Sequence, residues 1–263
     1  MSNNKVDIIV GTSGYSFDDW EGVFYPQGLE KGKRLDFYKE HFKATEINST
    51  YYRIPHPAVF YNIAKKVGAD FEFTVKTHRG YTHDRKDIEN SSKQFMEAIR
   101  PLTDAGKLTG LVAQFPFSFK YSPANLQYIV DGKGLFGETP LFVEFRHKSW
   151  DRQEVYRDLK ENNLGICIVD EPQLPNLFPF KLETTTNIGY IRLHGRNEKN
   201  WWGAEGDRYD YNYSEHELRE IKNKIEDLKT RTDKIYLFFN NCHLGQAVRN
   251  AKMFIELMQA ELK

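Results

Sequence analysis

Only two cysteines, Cys167 and Cys242, occur in 263 residues, so no disulfide framework holds this chain together. Two buried or near-buried reduced thiols are the expectation. Net charge is also absent: 37 basic side chains face 37 acidic ones. Global charge therefore names no partner, and any attraction for an anion has to come from local clustering. No run approaches the roughly 20 apolar residues of a membrane span, and MSNNKVD has no apolar signal core. The default expectation is a soluble cytoplasmic protein with no membrane partner. Several catalytic signatures are missing too. There is no G-x-S-x-G nucleophile elbow, no H-E-x-x-H, no C-x-x-C and no EF-hand loop. The glycine turns are too short and irregular for a Rossmann or P-loop fingerprint.

What is abundant is aromatic, with 19 Phe and 15 Tyr, and an apolar share of 40% suffices for a large core. Short apolar runs recur along the chain. They read as strands at Asp7–Gly11, Ala44–Asn48, Phe71–Val75, Gly110–Phe115, Leu141–Phe145, Gly165–Asp170, Ile188–His194 and Lys234–Phe239. Near-continuous apolar strands require cover on both faces, as in parallel sheets. Helical spacing follows most of them. Arg34–Phe42 has Leu35, Tyr38 and Phe42 on one face, and the helix from Ser214 has Leu218, Ile221, Ile225 and Leu228. Helix starts are predicted at Ser91 and Ser214 from capping-box patterns, and at Asp151 as a cap. Pro101 is expected to kink or shorten its helix. Pro172, Pro175 and Pro179 argue for an irregular connection after the sixth strand.

Eight strand–helix units of roughly 29 residues suit a single α/β domain spanning residues 1–263, a (β/α)8 TIM-type barrel. An open doubly wound sheet has the same periodicity and is the alternative. Gly11 and Gly14 follow the first strand and are expected to permit unusual angles or close approach of a ligand.

In a barrel the C-terminal strand ends converge on one mouth. The stretch LFVEFRHKSW delivers Glu144, Arg146 and His147 there. Other strand ends supply Glu46; Lys76 and Arg79; Asp170; Arg192, His194 and Arg196; and Asn240. Cations outnumber carboxylates in this set. Alternation puts Glu144 with Arg146, and Arg192 with His194, on shared faces. The resulting expectation is capture of an anionic, phosphate-bearing ligand by Lys76, Arg79, Arg146, Arg192, Arg196 and Asn240. Arg146→Ala and Arg192→Ala are then expected to abolish anion binding with the fold retained. The competing reading ties Arg146 and Arg192 to Glu46, Glu144 and Asp170 in a salt-bridge lattice, and the two can coexist. Glu46, Glu144, His147 and His194 are the acid–base candidates. No cofactor is called for; a divalent metal on Glu46, Glu144, His147, Asp170 and His194 matches in ligand type but not in spacing.

Two long aromatic loops, from Tyr15 to Tyr25 and from Gly195 to Tyr213, together with Tyr51 and Trp150 after the second and fifth strands, suggest a rim of Tyr15, Trp20, Tyr51, Trp150, Trp201 and Trp202. Aromatics interleaved with Lys199 and Arg208 are what stacking on bases requires. Against that stand Glu198, Glu205, Asp207 and Asp210 in the same loop. An aromatic lid over the mouth is the plainer reading.

Seven stretches, GTSGYSFDDWEGVFYP, EINSTYYRIP, VKTHRGYTH, AQFPFSF, VEFRHKSW, RLHGR and FFNN, resemble in order the motif series of the YecE-like family, domain of unknown function 72. That family commonly has tryptophan where this chain has Tyr15. The resemblance implies a TIM-type barrel and carries no assigned activity. Through the likeness of such barrels to endonuclease-IV-like and xylose-isomerase-like enzymes it also raises nucleic-acid binding. Three functions therefore stand at this point. The first is a hydrolase or isomerase on a phosphorylated small molecule. The others are a nucleic-acid-binding barrel, catalytic or not, and an interaction scaffold with a degenerate site.

Overall fold

The apolar strands close on themselves. In a computed structural model describing residues 6–203 and 207–260, β1 (Asp7–Ser13), β2 (Ala44–Ile47), β3 (Glu72–Lys76), β4 (Leu108–Gln114), β5 (Leu141–Glu144), β6 (Gly165–Asp170), β7 (Ile188–Leu193) and β8 (Lys234–Phe239) form a closed parallel barrel. The ring is completed by β1 against β8, from Asp7 opposite Lys234 to Thr12 opposite Phe239. The chain is a (β/α)8 TIM-type barrel. Glu205 and the first five residues lie outside the described part.

Around the barrel run α1 (Arg34–Tyr38), α2 (Pro57–Lys66), α3 (Ile88–Asp104), α4 (Pro123–Gly132), α5 (Gln153–Glu161), α6 (Glu215–Ile225) and α7 (Gln246–Ala260). No helix separates β6 from β7 among the described residues, where Pro172, Pro175 and Pro179 fall in an irregular strap. No helix there is long and apolar enough to cross a membrane. The Ser214–Glu217 capping box forms with both reciprocal bonds.

Three local expectations need correction. Helix α3 begins at Ile88, because the chain enters it through Asp87 in a left-handed conformation, and Ser91 N already bonds back to Asp87 O at 3.0 Å. Pro101 does not end that helix. It falls in the last turn, where it withholds the N–H that would donate to Glu97 O, and the helix still continues to Asp104. Asp151 does not cap α5. Its carboxylate accepts from Tyr156 Oη at 2.7 Å and Lys181 Nζ at 2.8 Å, and Arg152 takes the N-cap position with no side-chain bond.

Gly11 serves the barrel and not a ligand. A Cβ there would collide with the carbonyl oxygen of Ala44 on β2, so glycine lets the two strands approach. Inside the barrel, alternation stacks side chains in layers. Phe142 lies on Tyr190 with ring centroids 4.4 Å apart, filling space left by Gly110 on β4 and Gly165 on β6. Above this layer, toward the C-terminal mouth, the interior turns charged.

Candidate anion-binding site

Side chains from three strands meet at the axis. Glu46 from β2, Glu144 from β5 and Arg192 from β7 are almost wholly buried, and Arg192 bridges the two carboxylates. Its Nη2 donates to Glu46 Oε1 at 2.6 Å and its Nη1 to Glu144 Oε2 at 2.5 Å. Tyr190, two residues earlier on β7, donates its hydroxyl to Glu46 Oε2 at 2.6 Å. Arg146 extends the lattice from just beyond β5. Its Nε lies 2.7 Å from Glu144 Oε1, at ion-pair distance but without hydrogen-bond alignment, and its Nη1 donates to Glu171 Oε2 at 3.0 Å. The strap after β6 delivers Glu171 and is fastened by Phe178 N to Arg146 O at 3.1 Å.

Electrostatics follow from this crowding. Burial alone would raise the Glu144 carboxyl, yet Arg146, Arg192 and His194 beside it hold it well below the usual carboxylate range. Glu171 goes the other way: burial pushes it up to about 8 against the pull of Arg146. His194 is driven down to about 3 by burial and then by Arg146, so its ring is neutral. Its Nδ1 lies 2.8 Å from Asn240 Nδ2, and its Nε2 lies 3.3 Å from both Arg146 Nη2 and Glu144 Oε1.

Over the lattice opens a cavity of about 400 Å³. Lys76, Arg146, Arg192 and Arg208 line it, with Ser13, Asn48, Gln114 and Asn240 as neutral polar groups. Its walls are aromatic: Phe17, Tyr51, Tyr52, Phe117, Trp201, Trp202 and Tyr209. Lys76 Nζ donates to Gln114 Oε1 at 2.9 Å and sits 4.4 Å from the centre of the Tyr51 ring. Arg208 and Arg146 lie 5.9 and 5.8 Å from the Trp201 ring. The Nε atoms of Arg192 and Arg208 are buried with no hydrogen-bond partner.

Of the sequence candidates, Lys76, Arg146, Arg192, Asn240, Tyr51, Trp201 and Trp202 come together on this cavity. Glu46, Glu144 and His194 lie beneath it, engaged with arginines. Arg79 does not join; it pairs with Asp84 at the surface. Arg196 is also elsewhere, clamped on Asp170 and Glu217. His147 packs its ring on Phe117, 4.9 Å between centroids, and accepts at Nδ1 from Ser149 N. Trp20 and Trp150 are core residues and not rim, both fully buried. Their indole N–H groups donate to Cys242 O and Phe119 O, and Trp150 stacks on Phe145 at 4.4 Å. Tyr15 leans on Tyr38 and does not line the cavity. Among the described residues no cluster of three or more His, Cys, Asp or Glu is placed to hold a metal ion. Glu171 escaped the sequence reading. Glu171 is the neighbour of Asp170, and the alternation that places Asp170 outward turns Glu171 to the other side.

A closed (β/α)8 barrel with a cationic, aromatic-walled mouth is thus the class of protein. The chain belongs to the family described as protein of unknown function DUF72, whose profile matches residues 9–263. It is 29% identical to the UPF0759 protein YunF of Bacillus subtilis, over 97% of this chain and 95% of that one. A DUF72 family protein from Thermotoga maritima superposes with a TM-score of 0.89 at 42% identity, covering 96% of this chain and 99% of its own. One from Enterococcus faecalis does so with a TM-score of 0.85 at 25% identity, covering 96% and 95%.

The buried histidines imply a pH dependence. His194 and His83 are pushed down by burial to about 3 and about 4. From pH 6.5 down to those values the unfolded chain binds more protons than the folded one, so stability falls as pH falls. Glu171 opposes this, because between about 4.5 and 8 the folded state holds its extra proton. Urea midpoints measured from pH 7 to pH 4 are expected to fall, and His194→Gln to flatten the decline. Equal slopes in the two proteins would count against a neutral, buried His194.

Proposed function

We propose that this barrel binds a small anionic ligand, phosphate- or carboxylate-bearing, in the cavity at its C-terminal mouth. One observation carries the reading. Four cationic residues, Lys76, Arg146, Arg192 and Arg208, line the cavity, and among the described residues no carboxylate does. Glu46 and Glu144 neutralise Arg146 and Arg192 from below, so the lattice acts as a support that fixes the two guanidinium planes in advance. Arg208, and Lys76 when protonated, then supply charge that the lattice leaves uncompensated. The volume falls within the range of small-molecule sites. Stacking a strand of nucleic acid needs open ring faces, and Trp201 is 2% exposed, with only Trp202 and Tyr52 of the wall well exposed.

Inorganic phosphate at ten times its Kd is expected to stabilise the protein by about 1.4 kcal/mol at constant ionic strength. Lys76→Met and Arg208→Ala should each shrink that gain while leaving unliganded stability nearly unchanged. A thermal melt series with phosphate, sulfate and a short single-stranded oligonucleotide checks this. Stabilisation by the oligonucleotide alone would move the assignment to nucleic acid.

A further inference from the structure

Lys76 is placed unlike the arginines around it. Arg146 and Arg192 each meet buried carboxylates, whereas Lys76 Nζ meets an amide oxygen, Gln114 Oε1, and the face of Tyr51. No carboxylate pairs with it among the described residues. It stands at the C-terminal end of β3, on the wall of the cavity, where a bound molecule reaches it from the open side. An amide oxygen accepts from an ammonium and, more weakly, from a neutral amine, so this setting offers the nitrogen a partner in either state.

We propose that Lys76 is a nucleophilic amine that forms an iminium with a small aldehyde or ketone carrying a carboxylate or phosphate, the anionic end being held by Arg208 and the guanidinium groups of Arg146 and Arg192. This deepens the anion-binding reading of the same cavity and rests on it. Iminium chemistry needs an unprotonated amine near neutral pH. Burial, and then the neighbouring Arg192, push Lys76 down to about 7, with Arg146 adding to the effect and Glu144 and Glu46 opposing it. His83, which follows β3, is itself held neutral at that pH by burial and adds no charge.

The step balances without an oxidant or reductant. The amine lone pair attacks the carbonyl carbon, and the carbonyl electron pair moves to oxygen, which takes up a proton as the nitrogen releases one, giving a neutral carbinolamine. The nitrogen lone pair then expels the hydroxyl group. It leaves with a proton as water, and the nitrogen keeps one hydrogen in the iminium. The net change is amine plus carbonyl plus one proton to iminium plus water, with the proton drawn from solvent through the open mouth.

The test traps the iminium. Full-length protein is incubated with glyoxylate or, separately, uncharged propionaldehyde, in the presence of cyanoborohydride, and adducts are mapped by peptide mass spectrometry. With glyoxylate the label is expected to saturate at Lys76 at concentrations where the surface lysines are barely modified. It should rise with pH through 7 and fall when inorganic phosphate is added. Lys76→Arg, which keeps a positive charge but removes the primary amine, should lose the label. Labelling of Lys76 no faster than of the surface lysines in the wild type overturns the proposal. That result alongside retained phosphate stabilisation would leave anion binding standing and remove only the iminium. Equal labelling of Lys76 by propionaldehyde overturns the anionic substrate class.

Discussion

Arg192→Ala is expected to destabilise the barrel by about 3–5 kcal/mol, the penalty for removing one partner of a buried ion pair. The sequence alone suggested that this change would erase anion binding and spare the fold. The geometry argues otherwise, because Arg192 is 1% exposed and joins Glu46 at 2.6 Å to Glu144 at 2.5 Å. Without it, two carboxylates sit in the barrel interior with Arg146 as the remaining guanidinium partner to Glu144. Glu46 would be left with the Tyr190 hydroxyl. Adding Glu46→Gln to Arg192→Ala should restore part of the loss, since it removes a charge that has lost its counter-ion. Urea denaturation of the three proteins checks this. A single variant within about 0.5 kcal/mol of wild type, the usual range for surface changes, would show that the lattice contributes little.

Phe142→Ala is expected to cost about 3–5 kcal/mol, as truncation of a buried aromatic ring does. The ring is 1% exposed, stacks on Tyr190 and occupies room that exists only because β4 and β6 carry glycine beside it. The reverse change gives the same conclusion from the other side. A Cβ at Gly110 would lie 2.6 Å from Phe142 Cε2, so Gly110→Ala forces the ring to move and should destabilise by about 1–3 kcal/mol. Alanine at both positions, Phe142→Ala with Gly110→Ala, should lose less than the sum, because the new methyl enters the vacated space. Strict additivity in a double-mutant cycle would contradict this layer.

The barrel was legible because burial on both faces leaves a plain trace: apolar runs such as GICIVD and KIYLFF at regular intervals. The lattice was half legible. Alternation alone puts Glu144 with Arg146 and Arg192 with His194, and these residues do converge. What the residue types do not encode is depth. Trp20 and Trp150 look like rim aromatics in their loops, yet each is enclosed by other rings and donates its N–H to a backbone carbonyl. Arg79 and Arg196 read as anion ligands until Asp84, Asp170 and Glu217 are found beside them. Glu171 belongs to an irregular strap whose path depends on contacts distant in sequence. The low pKa of Lys76 is likewise a product of placement, since nothing local to VKTHRG distinguishes it from an exposed lysine.

The central claim is that the cavity over the lattice receives an oxyanion. Diffraction from crystals soaked in selenate, located by its anomalous signal, tests it most directly. The account predicts one ordered anion within hydrogen-bond distance of Lys76 Nζ and a guanidinium of Arg208, Arg146 or Arg192, absent from Lys76→Met crystals. Selenate bound only at surface lysines, with the mouth empty, would contradict it.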